Sequence, residues 1–425
     1  MNSRERLKKI LNHEEVDQIV VDLGSSVVSG ISATALHNLR KKLNLEERKV
    51  KISEPFQLLG EVEEDVMQAL GIDVVPVSGS GTIFGFKNEN WKPWTMQNGI
   101  EVLVGENFNT TVDKDGVTFI YPQGDLNAKP SAQMPKDGYF FDNLVRQSPM
   151  DYENLNGRED FKDDFAIISD ETLQEIKEKV DYYYENTDYG INLGGFQAGL
   201  GDFCPLPAAW LKEPKGIRSV EEFLMAHYLY PEYIKDIFEL YTETALKNLE
   251  RLYNTVGNKV QIIQISATDF GCQHGEMIAP DMYREFYKPY HKRLNDWVHE
   301  NTQWKTAYHS CGSIVNILDD FVEIGVDVLN PVQCSAKGMD PKFLKEKYGD
   351  KLVFWGGGID TQNTLPFGTP EDIKKEVTER LEIFSKNGGF IFNPIHNIQA
   401  PTPVENILAI FESIKEFNKT IKNRV

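Results

Sequence analysis

Leu352-Val-Phe-Trp-Gly-Gly-Gly-Ile-Asp360, then Thr369-Pro-Glu-Asp-Ile-Lys-Lys-Glu-Val-Thr-Glu-Arg-Leu-Glu-Ile-Phe384, then Gly388-Gly-Phe-Ile-Phe-Asn393 reads as strand, helix, strand. The flanking runs are short and rich in β-formers, as strands buried on both faces are. Between them, Thr369-Pro370 ahead of Glu371 and Asp372 marks a helix start. Ile373, Val377, Leu381 and Phe384 fall on one helical face, and Gly388-Gly389 ends the helix. Working back, residues 260–265, 306–308 and 326–330 are runs of the same kind, with Pro280 opening a helix between the first two and Thr402-Pro-Val-Glu405 marking one after the last strand. Five βα units in succession predict a parallel sheet. Residues 19–23 are followed by Gly-Ser-Ser and no G-x-G-x-x-G, so the expectation is a (β/α)8 TIM-type barrel and not an open dinucleotide-binding sheet.

Residues 82–186 differ. Trp91, Trp94, 102–104, 117–121 and Tyr139-Phe140-Phe141 sit among Gly, Asn, Asp and Pro, the composition of a β-meander. The expected organisation is one barrel domain over 1–425 with a β-rich insert at 82–186 capping one end, entered at 76–81 and left by a helix near 173–184. The apolar stripe of the helix at 231–256 reads as core.

The formal net charge is −20 and the 45 basic residues are scattered, which excludes a nucleic-acid interface. The amino-terminal residues carry charges within the first turn, and no uncharged apolar run reaches eighteen residues, so a cytoplasmic protein without signal peptide or membrane span is expected. Four scattered cysteines do not form a disulfide framework; Cys204 and Cys272 read as small buried side chains.

The residues with chemistry lie at strand ends. His309 and Cys311, two apart in an extended segment, point to one side, and His396 follows the strand at 390–393. In a barrel these ends meet on one face, and a His, Cys, His set is a candidate zinc shell with an open position. Asp269 and Glu276 are candidate catalytic carboxylates or outer ligands, although Asp269 equally suits a loop cap and Asp360 a turn. Asn330, Gln333 and Cys334 are further strand-end groups. Asp22, Gln333 and Trp355 are candidate substrate contacts, and Phe203, Trp210 and Trp355 suit either an apolar wall or ordinary core.

Over nearly its whole length the chain resembles the uroporphyrinogen decarboxylase superfamily. The resemblance is carried by Asn2-Ser-Arg-Glu-Arg-Leu7, Asp17-Gln-Ile-Val-Val-Asp22 and Asp281-Met-Tyr-Arg-Glu-Phe-Tyr-Lys-Pro-Tyr290. Leu329-Asn-Pro-Val-Gln333, Trp355-Gly-Gly and Asn393-Pro-Ile-His-Asn-Ile-Gln399 are similar to its corrinoid-dependent methyltransferase branch. The family fold so implied is a (β/α)8 barrel. Decarboxylases of the family hold substrate carboxylates with an Arg-rich loop after the first strand; here that loop, Asp22-Leu-Gly-Ser-Ser-Val-Val-Ser-Gly30, has no arginine. In the methyltransferase branch an H-x-C pair and a later Cys bind zinc. His309 and Cys311 match the pair, and the later Cys position, counted back from Thr402-Pro-Val-Glu-Asn406, falls on His396. Imidazole for thiolate makes the zinc more positive and favours a donor-side enzyme. The resemblance therefore implies a demethylase passing a methyl group from a small methylated donor, such as a methoxylated aromatic, to cobalamin on a separate corrinoid protein, and it admits a homodimer. Two other readings stand beside it: a uroporphyrinogen decarboxylase in which Asp22 or Asp269 steers the pyrrole protons, and a non-catalytic barrel whose metal is structural or whose mouth only binds a corrinoid or metabolite.

Overall fold

The side chains that alternate along the short runs decide how they pack. The computed structural model describes residues 1–194 and 199–422. Its central sheet has eight parallel strands: β1 (Val20–Val21), β2 (Val74–Val77), β3 (Gly190–Leu193), β4 (Ile262–Ser266), β5 (Lys305–His309), β6 (Val328–Asn330), β7 (Val353–Trp355) and β8 (Phe390–Phe392). Hydrogen bonding runs in the order β1-β8-β7-β6-β5-β4-β3-β2. The first strand thus pairs with the last, Val20 opposite Ile391. The remaining seam, between β1 and β2, is stitched by Asp73: its N–H donates to Val21 O (2.8 Å) and its Oδ2 accepts from Val21 N (2.9 Å). This is a (β/α)8 barrel in the order the sequence predicts for its second half.

One set of inward side chains, Val20, Val74, Ile262, Ala307, Val328, Val353 and Ile391, forms an apolar floor with Trp355. The N-terminal helix Ser3–Ile10 closes it from below with Leu7, Ile10 and Leu11. That helix is pinned by Arg6, which reaches Asp73 at 2.7 Å and Asp17 at 2.9 Å. Two residues further along the strands the inward positions turn polar: Asp22, Asn192, Gln264, His309, Asn330 and Asn393, all buried. The barrel therefore has an apolar lower tier and a polar upper tier at the carboxyl ends of the strands, where loops build sites.

Outside, helices pack apolar stripes onto the strands. The helix Pro370–Phe384 starts with a capping box between Thr369 and Asp372 and buries Ile373, Val377, Leu381 and Phe384. Gly388 and Gly389 follow in the left-handed region, φ 72° and 68°. A Cβ on Gly388 would lie 2.4 Å from Glu14 O, so the turn into β8 requires glycine there.

Between β2 and β3 lie an antiparallel pair, Lys92–Thr95 with Glu101–Val104, and a four-stranded meander of Thr110–Val112, Thr118–Ile120, Ala132–Met134 and Asp142–Asn143. Phe84, Phe108 and Phe141 pack edge to face inside it. This segment docks on the loop after β3: Ser131 Oγ donates to Ala209 O, Asn143 Nδ2 to Cys204 O, and Arg146 to Ala208 O and Leu211 O. The helix Asp170–Asn186, expected as the exit, buries Leu173, Ile176 and Val180 and packs against β2, β3 and the helix Pro231–Val256. It is the barrel helix between β2 and β3. No helix among the described residues is long and apolar enough to cross a membrane.

Candidate metal centre

His309 is the last residue of β5, Cys311 follows after one residue, and His396 follows β8. Their ligand atoms lie within 4.8 Å of one another, and Cys311 Sγ is 3.3 Å from His309 Nε2. The two imidazole rings have centroids 5.7 Å apart. His309 Nδ1 is 2.6 Å from Asn330 Oδ1, while Asn330 Nδ2 donates to Trp355 O (3.1 Å). An amide oxygen only accepts, so Nδ1 carries the proton and Nε2 presents its lone pair toward Cys311.

The Cys311 turn is held from three sides. Its N–H donates to Asp269 Oδ1 (2.7 Å), and that oxygen lies 3.6 Å from His309 Nε2. Gly312 N donates to Gln333 Oε1 (2.7 Å). Gly312 has φ 84° and crosses Gly271 so closely that a Cβ on it would sit 2.2 Å from Gly271 C. Only glycine fits that crossing, which delivers the thiol to the mouth.

Burial, and after it the Asp269 carboxylate, pushes the Cys311 thiol well above its usual range. Burial, then neighbouring His309, lowers His396 to about 4 against the opposing pull of Asp269. At neutral pH the pocket thus holds a neutral His396 and a thiol that ionises only with a compensating cation.

The other expected residues divide. Asp269 and Gln333 brace the Cys311 turn, as just described. Asp22 is buried, accepts from Ser25 N (3.0 Å) and from Trp355 Nε1 (2.9 Å), and is raised by burial to about 6. Trp355 itself is fully buried in the floor and reaches the upper tier only through that indole N–H. Glu276 stands apart: on a short hairpin, Gly271–Cys272 with Gly275–Glu276, it accepts from Asn316 N (2.8 Å) and Nδ2 (3.0 Å). Cys334 Sγ turns to the carbonyls of Val332 (3.4 Å) and Gly357 (3.9 Å), away from the three ligands. Asp360 accepts from Gln362 N and Asn363 N, a turn.

Two acidic residues not singled out from the sequence join the mouth. Asp202, on the loop after β3, is raised well above the usual range by burial and then by Asp269. Glu54 accepts from Phe56 N (2.8 Å) and Gln57 N (2.7 Å), and burial raises it to about 7. Cys204 lies close enough to Asp202, Glu54 and Asp269 that all three push its thiol up, after burial. The Gly199-Leu-Gly201 run ahead of Asp202 was the available signal for a functional loop.

Residues 134–417 match the family model described as Uroporphyrinogen decarboxylase (URO-D). A uroporphyrinogen decarboxylase of Prochlorococcus marinus is 22% identical over 292 residues, 68% of this chain and 76% of that protein. One from Coxiella burnetii is 25% identical over 156 residues, 35% of this chain and 39% of that protein. Among solved structures, a methyltransferase from Methanosarcina mazei superposes with a TM-score of 0.55 at 18% identity, over 98% of this chain and 99% of that one. At that identity the likeness is one of fold.

Proposed function

The chain belongs to the uroporphyrinogen decarboxylase family, and from that premise we propose that it is a zinc enzyme moving a methyl group from a small methylated donor to the cobalamin of a separate corrinoid protein. The observation that carries this reading is the meeting of His309, Cys311 and His396 ligand atoms within 4.8 Å at the barrel mouth. The set fits zinc: thiolate and imidazole are its ligands, and three protein groups leave a position for substrate. Asn330 on His309 Nδ1 is the outer partner that metal-bound histidines have.

His309 would bind through Nε2, its other nitrogen being engaged by Asn330. His396, neutral because burial lowers it, needs no proton loss to bind. Cys311 gives up its proton on loading, and Asp269 holds its backbone in place. When bound, zinc would supply a Lewis acid to the heteroatom that bears the methyl, so that the bonding pair stays on a stabilised leaving group such as a phenolate. The meander at 92–143 and the loop after β3 that it braces would exclude water from the mouth. The methoxylated aromatic is the donor class proposed, a cytoplasmic setting goes with it, and the corrinoid protein is the partner.

The decarboxylase reading is favoured by the relatives from Prochlorococcus marinus and Coxiella burnetii, both uroporphyrinogen decarboxylases, and predicts turnover without metal. One experiment separates the two: zinc content of the wild type beside His309→Ala, Cys311→Ala and His396→Ala, followed by methyl transfer from methoxylated aromatics to reduced corrinoid protein. Near-stoichiometric zinc that falls in all three variants, with transfer that falls alongside, supports the proposal. A wild type that takes up no zinc when supplied with it overturns the site and leaves the decarboxylase to be assayed.

A further inference from the structure

No hydrogen bond runs to His396 among the described residues, through its ring or its peptide groups. His309, by contrast, ends a strand and has Asn330 on its Nδ1. His396 lies beyond Phe392, the last residue of β8, in a loop without helix or strand. Its place therefore depends on what holds its neighbours. A ligand has to stay within about 0.5 Å or 10–20° of its working position, and a loop alone does not supply that.

The hold comes from the next residue. Asn397 is 1% exposed, and its amide is engaged at both ends. Its Oδ1 accepts from Gly30 N at 2.5 Å, and its Nδ2 donates to Val27 O at 2.8 Å and to Gln57 Oε1 at 2.9 Å. Val27 and Gly30 belong to the loop after β1, and Gln57 to the turn that Glu54 caps. That turn also receives the capping insert, since Phe141 N donates to Phe56 O (2.8 Å). The loop after β1, the turn under the insert and the His396 loop thus meet at one buried amide. The main chain adds Ile395 N to Ile359 O (3.1 Å) and Ile398 N to Gly30 O (3.0 Å), which hold the loop on either side of the ligand but not at it.

We infer that Asn397 is the positioning residue of His396, fixing through the backbone what Asn330 fixes for His309 through the ring. This rests on the preceding reading of His309, Cys311 and His396 as metal ligands, and adds a residue that touches neither metal nor substrate. The competing role is purely structural: Val27 O and Gly30 N need partners wherever that loop is buried. A structural role disturbs the whole mouth when Asn397 is lost. A positioning role does its damage through His396 alone.

The test is a double-mutant cycle on zinc affinity in the full-length chain, read by competition with chelators of graded strength. Asn397→Ala should weaken zinc binding about tenfold, the low end for the loss of an outer partner. In a His396→Ala background the same substitution should cost less than about twofold, because the route of its effect is gone. A second readout needs no metal. With 13C-labelled histidine in EDTA, the His396 ring signal should split or broaden in Asn397→Ala while that of His309 stays in place. Should Asn397→Ala fail to fold, Gln57→Ala removes one bond of the three and leaves Asn397 on the β1 loop; its cost should be about threefold, the low end for one hydrogen bond, and should likewise vanish without His396. Unchanged zinc affinity in the variant that folds, a loss that repeats in full without His396, or equal disturbance of both rings overturns the inference. A wild type that takes up no zinc strikes the preceding reading alone, and the ring signals then decide this one: disturbance confined to His396 supports it, and two unmoved rings overturn it.

Discussion

Asn330 makes no proposed contact with metal or substrate, yet replacing it with alanine should weaken zinc binding tenfold to a hundredfold. Its Oδ1 fixes the tautomer and ring of His309 at 2.6 Å, and its Nδ2 ties that contact to the Trp355 carbonyl at 3.1 Å. In Asn330→Ala the buried Nδ1–H loses its acceptor, and the imidazole is free to rotate or to present the wrong nitrogen. Loss of such an outer partner costs roughly 10- to 100-fold in metal affinity, about 1.4–2.7 kcal/mol. Two buried groups are also left unpaired, so the metal-free protein should lose a further ~1–3 kcal/mol of stability. Competition against a chromogenic zinc chelator reads the first quantity and urea unfolding in EDTA the second. Asn330→Asp keeps the acceptor on Nδ1 and should retain most of the affinity while losing stability at the Trp355 carbonyl. An alanine variant that binds zinc within threefold of wild type would refute the role assigned to Asn330.

Zinc affinity should rise with pH at about tenfold per unit between pH 7 and 8.5: the Cys311 thiol is held protonated by burial and Asp269 and must ionise, while His396, lowered to about 4, is already neutral; a flat profile in the same chelator competition counts against Cys311 as ligand. Gly312→Ala places a Cβ 2.2 Å from Gly271 C at a φ of 84°, and should both abolish zinc uptake and lower the unfolding midpoint; zinc content and thermal melts report it, and retention of both would contradict the close crossing. Asp73→Ala takes from Arg6, whose side chain is 5% exposed, one of its two carboxylates, Asp17 remaining, and removes the side-chain acceptor of Val21 N at the β1–β2 seam, for an expected loss of about 1.5–3 kcal/mol in denaturant titration; a loss below ~0.5 kcal/mol would mean that the seam is held elsewhere.

The second half of the barrel was legible because β4 to β8 present continuous apolar runs and their helices begin with Pro or Thr and end in Gly. The strands β2 and β3 were not singled out. Beside Val74, their inward residues are Pro76, Gly190 and Asn192, which interrupt the apolar run that identifies a buried strand, so tertiary placement overrides the local pattern. At the mouth, spacing brought His309 and Cys311 together and parallel topology added His396. Trp355 was expected at the substrate because it ends a strand, but the same parity that turns His309 inward sends this larger ring down into the floor. Glu276 shares a loop with Asp269, and only the turn of the Gly271–Cys272 hairpin, a three-dimensional feature, separates them. Glu54 and Asp202 come from segments without periodicity, so nothing local marked their approach to the ligands.

The seam at Asp73 also bears on how the molecule is made. Val20 finds its strand partner in Ile391, roughly 370 residues later. At ribosomal speeds of about 5–20 residues per second, that partner emerges some 20–70 s after the first strand does. Throughout that interval the first strand has one edge without a neighbour, a state prone to mispairing. Asp73 arrives early, some fifty residues behind, and with Arg6 from the opening helix it can fasten the other edge within seconds. The same buried carboxylate that seals the finished barrel is thus placed to hold the nascent amino-terminal segment in register until synthesis delivers the closing strand, and weakening it should show first as poorer yield during translation in cells, before any assay of the mature protein.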